Sequence, residues 1–103
     1  MSLTYTLRHS NSHVEVFLNG DFTFAENITF RLLVEELIGT DATSIAIDLS
    51  KLRTVDSAGL SMLVLLRNRL DPKKRRITLL KPPPQIERVL EVVEFSTLFD
   101  IRL

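Results

Sequence analysis

The stretch TVDSAGLSM, residues 54–62, lies between two segments with different hydrophobic patterns. Before it, SIAIDLS (residues 44–50) alternates apolar and polar side chains, which predicts a β-strand. After it apolar residues continue to Leu66, and Asp71-Pro72 ends the segment, so a helix is expected from about residue 58 to residue 70. Asp56 and Ser57 therefore stand side by side where a strand is expected to pass into a helix.

Both residues are of types that cap helices. The side-chain oxygen of Asp56 or of Ser57 is able to accept a hydrogen bond from a free backbone N–H at the helix start. Gly59 has no Cβ, so another group is able to come close to the first turn. A helix start carries a partial positive charge and tolerates an anion. The junction is thus typical either of an ordinary helix cap or of an anion-tolerant surface site, and these residues alone leave both open.

The expected helix is unusually apolar at its start. From residue 60 to residue 66 only Ser61 is polar, so apolar side chains point all around the helix axis. A helix that covers one face of a sheet needs a single apolar face. We therefore expect part of this surface to be exposed and to bind a partner, with Leu60, Ser61, Met62 and Val64 as candidates.

The other segments predict an α/β order around this junction. Strands are expected at residues 3–8, 13–20, 44–50 and 76–80, with a short fifth one in the tail, and helices at residues 23–39, at residues 58–70 and after KPPP (residues 81–84). Thr23 and Glu26 have capping-box spacing. Strand–helix–strand units need right-handed crossovers and hence parallel neighbours. Because the strands alternate, we expect one α/β domain over residues 1–103, with a mixed, mostly parallel sheet of four or five strands and helices mainly on one face.

The run IAIDLSKLRTVDSAGLSMLVLLRNRL (residues 45–70) resembles the STAS domain family (sulphate transporter and anti-sigma factor antagonist). The resemblance extends to LNGDFT (residues 18–23) and VVEFSTLFDI (residues 92–101). In the family's anti-sigma factor antagonists, a partner kinase phosphorylates the Ser or Thr that follows the motif's Asp, and Ser57 occupies that position. The resemblance implies a cytoplasmic regulatory module that binds an anti-sigma factor with serine kinase activity and is served by a cognate phosphatase. Its expected partner-binding residues are Asp21, Thr23, Asp56, Ala58, Gly59, Leu60, Ser61, Met62 and Val64.

The chain departs from the antagonists' pattern. After the second strand they usually read Gly, acid, apolar, Asp, and in the family this last Asp helps engage the kinase. Thr23 replaces it here. Ala58 stands where many antagonists have a second hydroxyl residue, and Ser61 where a Gly is often found. VDSAGL also resembles the STAS subunit of bacterial lipid-transport ABC complexes, in which a hydroxyl residue at the Ser57 position contacts the ATPase subunit. The alternative function is therefore an accessory subunit that needs no phosphorylation.

Composition and motifs argue against other classes of protein. The 13 basic and 13 acidic residues balance, which disfavours direct nucleic-acid binding and attachment to anionic membranes, and KKRR (residues 73–76) is expected to be a solvated loop. His9 and His13 are expected to be solvated turn residues, since no third metal ligand accompanies them. The chain has no cysteine and no G-x-S-x-G motif. We expect no catalysis, no metal, no cofactor and no membrane insertion.

Overall fold

A computed structural model describes residues 2–71 and 75–103. Its strands are β1 (Thr4–Ser10), β2 (His13–Phe22), β3 (Ser44–Val55), β4 (Arg76–Leu80) and β5 (Asp100–Arg102), and its helices are α1 (Asn27–Ile38), α2 (Ser57–Leu70) and α3 (Pro84–Val92). Short 3₁₀ turns cover Phe24–Glu26 and Phe95–Thr97. The strands form one sheet in the order β1-β2-β3-β4-β5. The β1–β2 pair is antiparallel and the other pairs are parallel, so the predicted mixed, mostly parallel sheet is confirmed.

The strand register explains why the core lies on one face of the sheet. Val16 pairs with Ile47, and Ile47 in turn pairs with Leu79, so apolar side chains line up across three strands. The same face receives buried residues from all three helices, among them Leu33 of α1, Leu66 of α2, and Ile86 and Leu90 of α3. Alternate strand residues point to opposite faces of the sheet, and the helices of the described residues pack mainly on the face that carries Val16, Ile47 and Leu79.

The strand before the junction is longer than predicted. Alternation predicted it at residues 44–50, but β3 continues to Val55. Its second half pairs only with β2, where Gly20 lies opposite Leu52 and Phe22 opposite Val55. That half carries exposed Lys51, Arg53 and Thr54, so the alternation of apolar and polar side chains does not predict it. As a consequence β2 and β3 end side by side, and the segments that follow them start next to each other.

The predicted capping box is wrong. A 3₁₀ turn follows Thr23, whose side chain caps nothing, and α1 begins only at Asn27. The Glu26 carboxylate instead accepts the backbone N–H of Leu3 at 2.6 Å. The Ser/Thr-to-Glu spacing was present, but a contact with the distant amino-terminal segment took the carboxylate that a capping box requires.

The expected solvated loop at residues 73–76 is wrong for Arg75, while Lys73 and Lys74 lie outside the described residues. The Arg75 guanidinium is buried and donates to the carbonyl oxygens of Leu37, of Ile38 at 3.1 Å and of Thr40 at 2.9 Å. These carbonyls end α1, where a cation is favoured by the helix dipole. Arg75 therefore caps α1 from across the fold.

The two histidines are not in a turn. The turn between β1 and β2 consists of residues 11 and 12, and Asn11 adopts a left-handed conformation with φ 55°. His9 belongs to β1, and His13 begins β2 with its Nδ1 2.7 Å from the Ser44 Oγ. Within residues 2–71 and 75–103, no three His, Cys, Asp or Glu side chains are grouped so that they could hold a metal ion.

Candidate functional site

The junction at residues 55–57 is organised by the Asp56 carboxylate. Asp56 is extended (φ −108°, ψ −179°) and caps α2, since its Oδ1 accepts the backbone N–H of Gly59 at 2.8 Å. Its Oδ2 accepts the N–H of Phe24 at 3.2 Å. Of the two residues expected to cap the helix, Asp56 performs this role, and Ser57 is the first residue of α2.

Close packing at this junction requires a glycine. A Cβ on Gly59 would lie 2.3 Å from the Phe22 carbonyl oxygen and 2.8 Å from the Val55 Cγ2. The same Phe22 carbonyl accepts the N–H of Asp56 at 3.3 Å. The expectation that Gly59 permits a close approach is therefore correct, but the approaching group is this chain's own backbone.

Ser57 lies on the surface at the start of α2. Within residues 2–71 and 75–103 its hydroxyl has no hydrogen-bond partner, because Asp56 already caps the helix. The Ser57 side chain is thus exposed and is not needed to cap α2.

A groove of about 650 Å³ runs between α1 and α2 and begins one residue from Ser57. Its α1 wall includes Phe30 and Val34, and its α2 wall includes Ala58, Met62 and Leu65. Phe24, which is 68% exposed, also lines the groove, and Leu65 is 44% exposed. The far end is closed by an ion pair between Arg69 and Glu35 at 2.8 Å. A long apolar groove with a polar end is the kind of surface that binds a partner.

The predicted binding residues divide between this groove and the core. Ala58, Ser61 and Met62 line the groove, whereas Leu60 and Val64 are half-buried, pack against the core and do not line it. Phe24 and Leu65 are among the groove residues that were not predicted. The apolar run over residues 60–66 contained Leu65, and the spacing of Phe24, Ile28 and Leu32 by four residues would have indicated an apolar outer stripe on α1; all three are exposed.

Asp21 and Thr23 contribute little carboxylate or hydroxyl surface here. Asp21 is 8% exposed and accepts a hydrogen bond from the Arg53 Nη2 at 2.8 Å. This bond, opposed by burial, holds the pKa of the Asp21 carboxyl below its usual value. Thr23 is half-buried between β2 and the 3₁₀ turn. Arg53 itself is mostly exposed, so this ion pair lies at the surface on the arginine side only.

The fold and this junction define a class of small α/β domains. A family model described as Mlab, STAS domain, matches residues 5–100, and the chain belongs to the STAS domain family. A STAS-domain containing protein of Pseudomonas aeruginosa is 27% identical over 101 residues, which cover 98% of this chain and 99% of that protein.

Solved structures with this fold include anti-sigma factor antagonists. One from Mycobacterium paratuberculosis has a TM-score of 0.86 at 16% identity, covering 97% of this chain and 85% of that one. The Bacillus cell fate determinant SpoIIAA, in its phosphorylated form, has a TM-score of 0.72 at 19% identity, covering 95% and 90%. These likenesses show a shared fold. Among residues 2–71 and 75–103, no helix combines the length and the hydrophobicity that crossing a bilayer requires.

Proposed function

We propose that this chain is a protein-binding module whose docking surface is switched by phosphorylation of Ser57. The observation that carries the proposal is the exposed Ser57 hydroxyl, which does not cap α2 and whose neighbour in sequence, Ala58, lines the apolar groove. Its partners on this proposal are an anti-sigma factor with serine kinase activity and a cognate phosphatase, as the family resemblance implies. The chain acts in the cytoplasm by binding and not by catalysis.

A phosphate on Ser57 would alter the free domain little. It adds about 1.5 to 2 negative charges at pH 7. The start of the 14-residue helix α2 favours an anion by about 0.3–1 kcal/mol, and the neighbouring Asp56 carboxylate opposes it. Because both effects act at an exposed position, we expect them largely to cancel in the free energy of unfolding.

Phosphorylation of Ser57 would mainly weaken the affinity for the partner. A partner seated in the groove covers Ala58 and Met62, which lie within five residues of Ser57 on α2. The dianion would then have to lose water against an apolar surface, with Asp56 repelling it from the other side. Each 1.4 kcal/mol of such penalty weakens binding about tenfold. Unmodified Ser57 therefore binds the partner, and phosphorylated Ser57 releases it.

A second candidate function is a non-phosphorylated accessory subunit of a lipid-transport ABC complex, bound to the ATPase through the same helix start. Thr23 stands where antagonists have a kinase-engaging acid, and the acid that remains, Asp21, is buried against Arg53. The matching family model is also described as Mlab, STAS domain, and not as an anti-sigma factor antagonist. These observations favour a partner that contacts the Ser57 hydroxyl directly.

One experiment separates the two functions. Tagged wild type, Ser57→Glu and Ser57→Ala proteins are expressed in the native cell, captured, and analysed by mass spectrometry for bound proteins and for phosphate on Ser57. Ser96→Glu, on the exposed 3₁₀ turn before β5, is the charge-matched control. Phosphate on Ser57, with an anti-sigma kinase that Ser57→Glu no longer captures, supports the first function. A transporter ATPase captured with unmodified Ser57 supports the second.

The groove is tested with the partner so identified. Leu65→Asp places a charge in the groove, and Val92→Asp places one on α3, where Val92 is 77% exposed. We expect Leu65→Asp to weaken binding at least tenfold and Val92→Asp to leave it unchanged, with both variants folded by circular dichroism. If the partner binds the Ser57→Glu, phosphorylated and unmodified proteins equally tightly, the proposed switch is contradicted. If the purified wild type shows enzymatic turnover that Ser57→Ala lacks, a purely binding role is contradicted.

A further inference from the structure

A second cavity lies at the edge of the sheet where the parallel strands begin, opposite the edge that holds Ser57. Its volume is about 420 Å³, and its charged lining consists of Arg67, Arg75, Arg76, Arg102, Asp71 and Asp100. The 14-residue helix α2 separates it from Ser57, a distance of about 20 Å at 1.5 Å per residue. Neither proposed function uses this cavity, although the lining carries an excess of two positive charges.

Two of these arginines are held in place by one nitrogen each. The Arg67 Nε donates to the Leu98 carbonyl oxygen at 2.9 Å, and the Arg102 Nε donates to the Asp100 carboxylate at 3.0 Å. Among residues 2–71 and 75–103, neither arginine uses its two Nη groups in a hydrogen bond, so these groups are available to another acceptor. A guanidinium whose orientation is already set loses less entropy when it binds an oxyanion through this pair of donors.

The remaining charges differ in how far they are already used. Arg75 is buried and its guanidinium already donates to the carbonyls at the end of α1, so few of its donors are available to a ligand. Arg76, at the start of β4, is exposed, and its guanidinium makes no hydrogen bond or ion pair with the residues that the structure describes. Asp71 and the carbonyls at the end of α2 oppose an anion. The charge available to a ligand therefore lies mainly on Arg67 and Arg76.

Neutral donors complete the lining. Ser44 begins β3, Thr78 is the third residue of β4, and the Ser44 Oγ lies 2.7 Å from the Nδ1 of His13. Donors thus come from α2, β3, β4 and β5, in different directions. A tetrahedral phosphate presents oxygens in several directions and suits such a set, whereas a carboxylate presents two oxygens in one plane.

We propose that this cavity binds a small soluble compound that carries a phosphate group, held by Arg67 and Arg76. The site is independent of the Ser57 surface. Its occupant would contact the end of α2 and the first residues of β3 and β4, and would leave the groove between α1 and α2 open.

Amide NMR shifts of the full chain, titrated with pyrophosphate at low salt, test the proposal. We expect saturable shifts at Ser44, Ile77 and Thr78 and none at Ser57. Arg76→Gln should weaken the affinity about tenfold, since one charge-assisted hydrogen bond is lost. Arg88→Gln, an exposed arginine of α3 outside the cavity, is the charge-matched control and should change it less than about twofold.

The outcomes of this titration and two further measurements distinguish a built phosphate site from diffuse electrostatic attraction and from a membrane-binding surface. Ser57→Glu should leave pyrophosphate binding unchanged, so this test of the phosphate site is independent of the proposed function. Absence of saturable shifts, or equal weakening by Arg76→Gln and Arg88→Gln, would overturn the proposal in favour of diffuse charge. Cosedimentation with vesicles containing phosphatidic acid, lost in Arg76→Gln and accompanied by no response to pyrophosphate, would assign the arginines to a membrane surface and also overturn it.

Discussion

Asp56 and Phe24 are 32 residues apart in the chain and are joined by a hydrogen bond of 3.2 Å from the Phe24 N–H to the Asp56 Oδ2. The other carboxylate oxygen of Asp56 caps α2 through Gly59. The Asp56 side chain thereby joins the backbone of Phe24, which lines the groove, to the start of α2, the helix that carries Ser57. Asp56 therefore has a structural role that does not depend on modification of Ser57.

Replacing Asp56 should therefore cost stability. We expect Asp56→Ala to lower the free energy of unfolding by about 2 kcal/mol, because two hydrogen bonds to a carboxylate are lost, one of them a helix cap. Asp56→Asn should lose less, since its oxygen still accepts from Gly59 while its amide nitrogen cannot accept from Phe24. Urea unfolding measures both, with exposed Asp41→Ala as the control, expected within about 0.5 kcal/mol of wild type. An unchanged Asp56→Ala protein would show that the cap is dispensable.

Gly59 and Gly39 should respond in opposite ways to alanine. A Cβ at Gly59 meets the Phe22 carbonyl oxygen at 2.3 Å, whereas at Gly39 its nearest neighbour is the Glu36 carbonyl oxygen at 3.5 Å. We expect Gly59→Ala to destabilise the domain by about 1–3 kcal/mol through overpacking, and Gly39→Ala to be neutral or stabilising by up to about 1 kcal/mol. Thermal unfolding of the two variants compares them directly, and equal melting temperatures would contradict the packing at the junction.

The Asp21–Arg53 pair should give stability that depends on pH. The Arg53 hydrogen bond keeps the pKa of Asp21 low in the folded state, so the pair stabilises the fold above the unfolded-state value of about 3.9. That stabilisation is lost as the pH falls through the lower folded-state pKa. Arg53→Met should raise the pKa of Asp21, and its deficit in stability should be present at pH 6 and vanish toward pH 2. Carboxyl NMR titration and urea unfolding measure these changes.

The control for this pair is Arg69→Met, which breaks the ion pair with Glu35 in which both partners are substantially exposed. Exposed pairs contribute about 0–1 kcal/mol, so little pH dependence is expected there. A deficit of Arg53→Met that persists unchanged at pH 2 would mean that Arg53 acts through packing and not through charge.

Arg75 and Arg76 are adjacent but should differ in their contribution to stability. Arg75→Met removes all hydrogen bonds from the guanidinium to the end of α1 and leaves buried carbonyls without that donor. We expect a loss of about 3 kcal/mol in the free energy of unfolding. Arg76→Met, at an exposed position, should change it by less than about 0.5 kcal/mol. Similar values for the two variants would contradict the role of Arg75 in capping α1.

Local patterns were sufficient for the architecture. Alternation marked the strands, and the proline-led start of α3 and the stop after α2 were read from residue types whose effects are felt within one turn. The partly exposed apolar surface of α2 followed from its composition. Leu65 confirms it, whereas Leu60 and Val64 pack against the core, because neighbouring elements that no single helix pattern reveals cover that flank.

Where local spacing and long-range contacts competed, the contacts decided. Glu26 has the spacing of a capping box but bonds to Leu3, 23 residues away. Arg75 reads as part of a charged loop but reaches Leu37, 38 residues away. The second half of β3 has no alternating pattern and exists because β2 lies beside it.

The sequence by itself determined the order of strands and helices, the membership of the STAS family and the placing of Ser57 at a helix start, because these depend on hydrophobic period and on short motifs. Only the tertiary structure decided that Asp56 caps while Ser57 stays free, that Asp21 faces inward, and that Phe24 and Leu65 share one groove. Those facts depend on which distant segments are neighbours in the fold. Sheet pairing and core packing set that arrangement, and no short stretch of residues encodes it.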